Sequence, residues 1–382
     1  MSFTYAVPRL NLSGTDAIFG AVEWLEQQAL FTVLVITDRI VGKLDGAKAL
    51  FSALEAKKIT YTVVDSIGEN PTVEEVNHTY ATLIEFAPDA IVALGGGSVI
   101  DTAKAVRILS ANPGPINRYE GVHHNLDIGL PLVAINTTSG TAAEVTSNAV
   151  ITDTVRRVKM VIITHSIIPD VTVNDPIALM SMPAKTTAAT GVDALTHAIE
   201  AYVSKGHHTI TDTTALEAMR LIVKWLPIAY KDGSNLEARE QMAAAQFLAG
   251  MAFNNAGLGC VHSLAHQPGA THNLPHGVCN AILLPVVEEF NRDSAPERFA
   301  TIAQALGVDT TGLSVEDASR SAIKAICDLT TAVGIPSGFG DLGVVIEDIE
   351  QWVQPALNDP CTPGNPKTLS ADDVRRLYRL AL

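Results

Sequence analysis

The chain has 382 residues, 47% of them hydrophobic and 18% charged, with a formal net charge of -15. That length exceeds what one core usually supports, so about two domains are expected, and the apolar content excludes a disordered chain. The negative charge argues against a nucleic-acid or anionic-lipid partner, which leaves a small molecule as the expected one.

Up to residue 180, β-branched runs at 31–37, 59–64, 90–94, 131–135 and 170–173 alternate with helical periodicity at 45–57, 73–86 and 99–110. Several of the runs are apolar on both faces, as in a mostly parallel sheet, and the alternation predicts an α/β domain over 1–180. Beyond Pro183 the pattern changes to helices at 186–203, 211–225, 236–254, 295–306, 314–333, 346–357 and 371–380, with no strand. An all-helical domain over 181–382 is expected, its boundary near 177–185 where Pro176 and Pro183 flank a short apolar stretch.

No apolar run approaches the ~20 residues of a membrane helix, and the first ten residues lack the basic-then-apolar pattern of a secretory signal. Cys260, Cys279, Cys327 and Cys361 form neither a Cys-x-x-Cys pair nor a disulfide framework. Free thiols and a cytoplasmic setting are expected, with no membrane partner. High apolar content is compatible with a homo-oligomer.

Gly95, Gly96, Gly97 and Ser98 follow a predicted strand and open a predicted helix. Glycines let backbone N–H groups approach a ligand, and a helix N-terminus favours a pyrophosphate. The spacing is not the G-x-G-x-x-G fingerprint. Thr137, Thr138 and the residues to Glu144 repeat the arrangement after the next strand, either as a second wall of the same crevice or as a Ser/Thr-rich turn. Asp38 closes the strand 31–37, where it would accept hydrogen bonds from ribose hydroxyls and repel a 2′-phosphate, favouring NAD(H) over NADP(H), or would simply cap a turn.

Asp193 and His197 are four residues apart in an almost uncharged helical stretch, which puts both on one face. Burying them without a partner would be costly, and a divalent cation is such a partner. His262 and His276 would complete the site, the latter held between Pro275 and Gly277, which restrict and then release the backbone. Three imidazoles and one carboxylate suit Fe(II), Zn(II), Mn(II) or Co(II), with intrinsic affinity favouring zinc over iron. His266, one helical turn after His262, would relay a proton or support a ligand from behind.

Together these motifs resemble the iron-containing, or group III, alcohol dehydrogenases over nearly the whole chain. The resemblance rests on Gly95–Ser98 with Asp101 and Lys104, on 137–141 with Glu144, on 189–202, on His262 to His266 leading into Pro275, His276 and Gly277, and on Asn365 with Pro366. It implies an N-terminal NAD(P)-binding domain, a helical metal domain and an active site in the cleft between them, with iron as the ion. It also implies that Asp193, His197, His262 and His276 are the ligands and that His266 lies near the nicotinamide. Asn70, Gly96, Gly97, Ser98, Asp101, Thr137, Thr138, Asn148 and Lys159 would line the dinucleotide, and Phe253 and Cys361 the substrate.

Two positions depart from the common pattern. Ala143 stands where many members have serine, which removes a phosphate contact, and His272 stands where an aromatic residue is frequent. His272 would then make the substrate pocket more polar, or would be a surface loop residue.

The implied reaction moves a hydride between NAD(H) and a small alcohol, diol or aldehyde, with the metal as Lewis acid. Two alternatives remain open: a reductase for an aldehyde with an acidic head group, of hydroxy-acid or sulfo-aldehyde type, and a non-redox NAD- and metal-dependent lyase of the dehydroquinate synthase type. The lyase needs basic residues for substrate phosphate and carboxylate, and few lie between Thr186 and His276. A chain that keeps the fold without the chemistry is disfavoured by the intact ligand positions.

Overall fold

The computed structural model describes residues 3–156 and 158–382. The chain divides between Met182 and Pro183 into two compact units. The first runs β1 (Leu10–Ser13), α1 (Ala17–Gln27), β2 (Thr32–Ile36), α2 (Asp45–Ala56), β3 (Thr60–Val64), α3 (Val73–Phe86), β4 (Ala90–Gly95), α4 (Gly97–Ala111), β5 (Gly121–Val122), β6 (Leu132–Asn136), β7 (Asn148–Asp153), β8 (Val158–Ile163), β9 (Val171–Asn174) and α5 (Pro176–Leu179).

Six strands form one sheet in the order β1-β9-β6-β4-β2-β3, and every pairing in it is parallel. The apolar runs read from the sequence are the central strands, and their alternate side chains feed two cores. Leu34, Ile36, Ile91, Ala93, Leu132 and Ala134 pack with α3 and α4, while Val33, Val35, Val92, Leu94, Val133 and Ile135 pack with α1 and α2. Each fully buried aliphatic side chain contributes roughly 1.5–3 kcal/mol, so strands buried on both faces hold the unit together.

Two features of this unit were not predicted. A second sheet, β5-β8-β7, contains an antiparallel β7–β8 hairpin, and β1 and α1 precede the first predicted strand. In β7 and β8 buried residues alternate with partly exposed ones such as Asn148 and Lys159, a weaker signal than the continuous apolar runs.

The strand order explains where a ligand can bind. From β2 the chain moves outward to β3, then returns past β2 to place β4 on its other side. The carboxyl ends of β2 and β4 therefore flank a switch point, where open α/β sheets bind ligands. Thr37, just after β2, donates its hydroxyl to the Leu94 carbonyl of β4 at 2.8 Å, fixing the two ends together.

The second unit comprises α6 (Ala184–Val203), α7 (Thr209–Lys231), α8 (Leu236–Ala256), α9 (Cys260–His272), α10 (His276–Arg292), α11 (Pro296–Ala305), α12 (Val315–Ala332), α13 (Ile349–Asn358) and α14 (Ala371–Leu380). Its described residues contain no strand. Helix α6 is the core of this unit: all but one residue from Thr187 to Val203 are buried, and α7, α8 and α10 pack around it. An amphipathic surface helix has one polar face, whereas α6 is wrapped on all sides. Polar groups inside it must therefore find partners within the protein.

Candidate metal centre and dinucleotide loops

Helix α6 supplies Asp193, His197 and Glu200, spaced four and three residues apart and so on one face. Helix α9 supplies His262 and His266, and His276 is the first residue of α10. Asp193 Oδ1 lies 3.9 Å from His262 Nε2 and 3.7 Å from His276 Nε2. One ligand atom from each of the three side chains falls within 4.8 Å of the others. His197, expected as the fourth ligand, lies beside this group with its ring stacked on His262, centroids 4.6 Å apart, and on Phe253 of α8 at 4.2 Å.

Gly277 has a different task from the one expected of it. It sits inside α10 with ordinary helical backbone, and a Cβ there would come within 2.5 Å of the Ala189 carbonyl of α6. Its lack of a side chain lets α10 begin against α6, bringing His276 to Asp193.

The group fits a cation chemically. Burial, then the neighbouring His197, His276 and His266, push the His262 imidazole well below its ordinary 6.5, which keeps it neutral as a ligand must be. The Nδ2 of Asn280 is 2.7 Å from Asp193 Oδ1, 3.0 Å from His276 Nε2 and 3.1 Å from His262 Nε2. A carboxamide has only two hydrogens for three acceptors. Two amide hydrogens thus face three potential acceptors that converge on one point, an arrangement a divalent ion would complete.

Behind the group, His262 Nδ1 meets Glu200 Oε2 at 2.5 Å, and Glu200 Oε1 accepts the Val261 backbone N–H at 2.7 Å. A cation on Nε2 requires the imidazole proton on Nδ1, and Glu200 is the acceptor that holds it there. Burial and the nearby Glu288 push the Glu200 carboxyl well above its ordinary range, against the pull of backbone N–H groups.

His266 is separate from the three-residue group. Its ring stacks on His276 with centroids 5.4 Å apart, and its Nδ1 meets Asp359 Oδ2 at 2.8 Å. Asp359, immediately after α13, also accepts the Cys361 backbone N–H at 2.9 Å. Burial pushes the Cys361 thiol well above its ordinary range, so it is no thiolate. His272 is the last residue of α9 rather than a loop residue, edge-on to Trp352 and 3.3 Å from Asp348.

In the first unit, Gly96 and Gly97 begin α4 at the switch point. A Cβ on Gly96 would lie 2.9 Å from Thr138 Cγ2, and one on Gly97 would lie 2.9 Å from Thr141 Oγ1. The glycine loop after β4 and the threonine loop after β6 therefore pack directly on each other, with Thr137 N–H donating to the Gly95 carbonyl at 3.2 Å. Gly96, Gly97, Ser98 and Thr138 remain half-buried, whereas Thr137 is buried. Ala142 and Ala143 are buried, Ala142 with a φ of 49°.

The other candidate dinucleotide residues lie on the elements around this loop. Lys159 of β8 donates to Asn70 Oδ1 at 2.8 Å, which links two of them directly. Asn148 opens β7, and its carbonyl accepts from the buried Lys104 Nζ at 2.8 Å. Asp101 turns inward, its Oδ2 accepting the Val150 N–H at 3.0 Å, and burial pushes its carboxyl up to about 6 despite Lys104. Asp38 Oδ1 accepts the N–H groups of Ile40 and Val41, both at 2.8 Å. One oxygen thus caps the turn, and ribose recognition would fall to the other.

Glu200, Asn280 and Asp359 were not identified from sequence. Glu200 follows His197 by three residues within the expected helix 186–203, a signal that was available, and Asn280 follows His276 by four, a spacing that reveals it once α10 is known to be a helix. Asp359 has no local signal.

Residues 8–176 match the family model for iron-containing alcohol dehydrogenase, and residues 187–382 match the C-terminal model of the same family. The chain is 42% identical over 382 residues to 1,3-propanediol dehydrogenase of Klebsiella pneumoniae, covering 99% of this chain and 98% of that one. It is 40% identical over 378 residues to the NAD-dependent methanol dehydrogenase of Bacillus methanolicus, covering 99% of each. The crystal structure of a 1,3-propanediol oxidoreductase superposes with a TM-score of 0.98 at 40% identity, covering 100% of both chains. The chain belongs to the iron-containing alcohol dehydrogenase family.

Proposed function

We propose that this protein is an iron-dependent, NAD(H)-linked dehydrogenase that interconverts a small primary alcohol or diol with its aldehyde. The observation that carries this reading is the convergence of Asp193, His262 and His276, with Glu200 set behind His262. These three side chains would hold the ion, with His197 stacked alongside as the fourth. When bound, the ion supplies Lewis acidity to an alcohol or carbonyl oxygen, and the dinucleotide gives or takes the hydride. Iron follows from the family. Zinc and manganese suit the same donors, so the ion in the cell depends on supply.

The chain's own residues would do the rest. Backbone N–H groups at Gly96, Gly97 and Ser98 face a pyrophosphate at the start of α4, with Thr137 and Thr138 on the adjoining loop. Asn70, Asn148 and Lys159 would extend that surface, and Asp38 would take the ribose. His266 would accept the proton that leaves an alcohol and return it in the reverse direction. Phe253 and Cys361 would bound the substrate.

An aldehyde with an acidic head group would need a free positive partner, and His272 already faces Asp348. A lyase on phosphorylated substrate would need basic side chains, whereas Glu200 contacts His262, Asn280 contacts Asp193, and Asp359 contacts His266. Both observations favour a neutral substrate. No helix among the described residues is long and apolar enough to cross a membrane. A cytoplasmic homo-oligomer without nucleic-acid partners remains part of this proposal.

The test is oxidation of NADH and NADPH by short aldehydes with plain, hydroxylated and anionic head groups, with metal analysis of the same preparation. Turnover with plain or hydroxylated aldehydes and NADH is expected. Failure of the iron-loaded protein to turn over any of them would overturn the proposal.

A further inference from the structure

The side chains of His266 and Asp359 form a half-buried dyad beside the candidate metal centre, and nothing in the sequence around Asp359 marks it. The contact is 2.8 Å long and joins residues 93 positions apart. Side-chain exposure is 19% for His266 and 8% for Asp359, so the contact is partly shielded from water.

The carboxylate and the segment that carries it are held by further contacts. The second carboxylate oxygen accepts the Cys361 N–H at 2.9 Å. The Thr362 hydroxyl contacts Ser263 Oγ at 2.7 Å and the Ala356 carbonyl at 2.7 Å, tying the loop to α9 one residue from His262. Trp352 of α13 donates its indole N–H to Thr271 Oγ1 at 2.9 Å, which docks the helix before Asp359 on the far end of α9.

We propose that Asp359 is the positioning residue for His266, holding the imidazole proton on Nδ1 so that Nε2 is the bare nitrogen available for proton transfer. An ionised carboxylate is acceptor-only, so it selects the tautomer with hydrogen on the nitrogen that faces it. A misoriented or wrong-tautomer imidazole loses its acceptor atom although every other group stays in place. Asp359 touches neither substrate nor cofactor in this role and acts only through His266. The inference rests on the proposed dehydrogenase reading, in which His266 takes the proton.

The test is a double-mutant cycle with a spectroscopic arm. In wild type, Asp359→Ala is expected to lower kcat by about 10- to 100-fold, with metal content unchanged and KM for NADH within about twofold. In the His266→Ala background the same change should cost less than about twofold, because its only route of action is gone. Asp359→Asn, which keeps the side-chain shape, goes through the same cycle so that a folding failure of the alanine variant leaves the test intact. Two-bond proton–nitrogen spectra of zinc-loaded, histidine-labelled protein should show His266 protonated at Nδ1 in wild type and a mixture of tautomers in the variants. Equal losses in both backgrounds, or an Nε2-protonated His266 in wild type, would overturn the inference. Absence of wild-type turnover would instead strike the dehydrogenase reading, and the spectra would still decide the tautomer.

Discussion

The Nδ1 of His262 and the Oε2 of Glu200 meet at 2.5 Å with both side chains almost wholly buried. A metal-ligating imidazole is oriented by what its other nitrogen touches, and such partners typically contribute 10- to 100-fold in metal affinity. Glu200→Gln should therefore raise the dissociation constant for the ion by about tenfold or more, measured by competition with a chelator. His262→Ala should abolish metal retention after dialysis, and turnover with it, because it removes a ligand outright. Wild-type metal content and rate in His262→Ala would remove His262 from the site.

Asp38 separates two effects that a single substitution would merge. Its Oδ1 accepts two backbone N–H groups, while its charge would repel a 2′-phosphate. Asp38→Asn keeps an acceptor and removes the charge, so it should raise the ratio of NADPH to NADH efficiency with little change in melting temperature. Asp38→Gly should shift the ratio too, but also lose about 1–2 kcal/mol of stability from the missing cap. If cofactor preference stays constant in both variants, the carboxylate is a turn cap alone.

Much of the fold was legible because central strands buried on both faces leave continuous apolar runs, and Val73–Phe86 carries a Thr72–Glu75 capping box at its start. Of the helices that bear the candidate ligands, α6 was legible at 186–203, whereas α9 and α10 were harder to read. Pro268 lies inside α9 and Pro285 inside α10, and proline breaks a propensity reading even where packing sustains the helix. The four proposed ligands were recognisable as residue types in motifs. Their supports were less so: Glu200 sits at helical spacing within the expected helix 186–203 but had no partner visible in the sequence, Asn280 depends on the spacing of a helix that Pro285 obscured, and Asp359 reaches His266 only through tertiary folding.

The glycine loop gives a packing test. A Cβ at Gly96 would lie 2.9 Å from Thr138 Cγ2, closer than such atoms can sit, so Gly96→Ala must displace the Thr138 side chain and strain the loop that carries it. A loss of about 1–3 kcal/mol is expected, together with a raised KM for NADH. Thr138→Ala removes the colliding atom, and the double variant should recover at least half of the stability loss, read by urea denaturation. Strict additivity of the two changes would show that the loops do not press on each other as described.

Glu288 provides a pH signature in the core of the second unit. It is fully buried, its Oε1 has no hydrogen-bond partner among the described residues, and burial pushes its carboxyl up to about 7 against the pull of Asn291. Between its ordinary 4.5 and about 7 the folded protein binds more protons at this position than the unfolded chain. Its contribution to stability is thus greatest below that window and declines as pH rises through it. At about 1.4 kcal/mol per pH unit the full loss is roughly 3 kcal/mol. Glu288→Gln has no charge to bury, and any cost of its own unpaired amide is the same at every pH. The stability of the variant relative to wild type, from urea denaturation with metal content held constant, should rise by up to about 3 kcal/mol between pH 4.5 and pH 8. A difference that stays flat across that range would mean that Glu288 remains protonated throughout or is already ionised at pH 4.5.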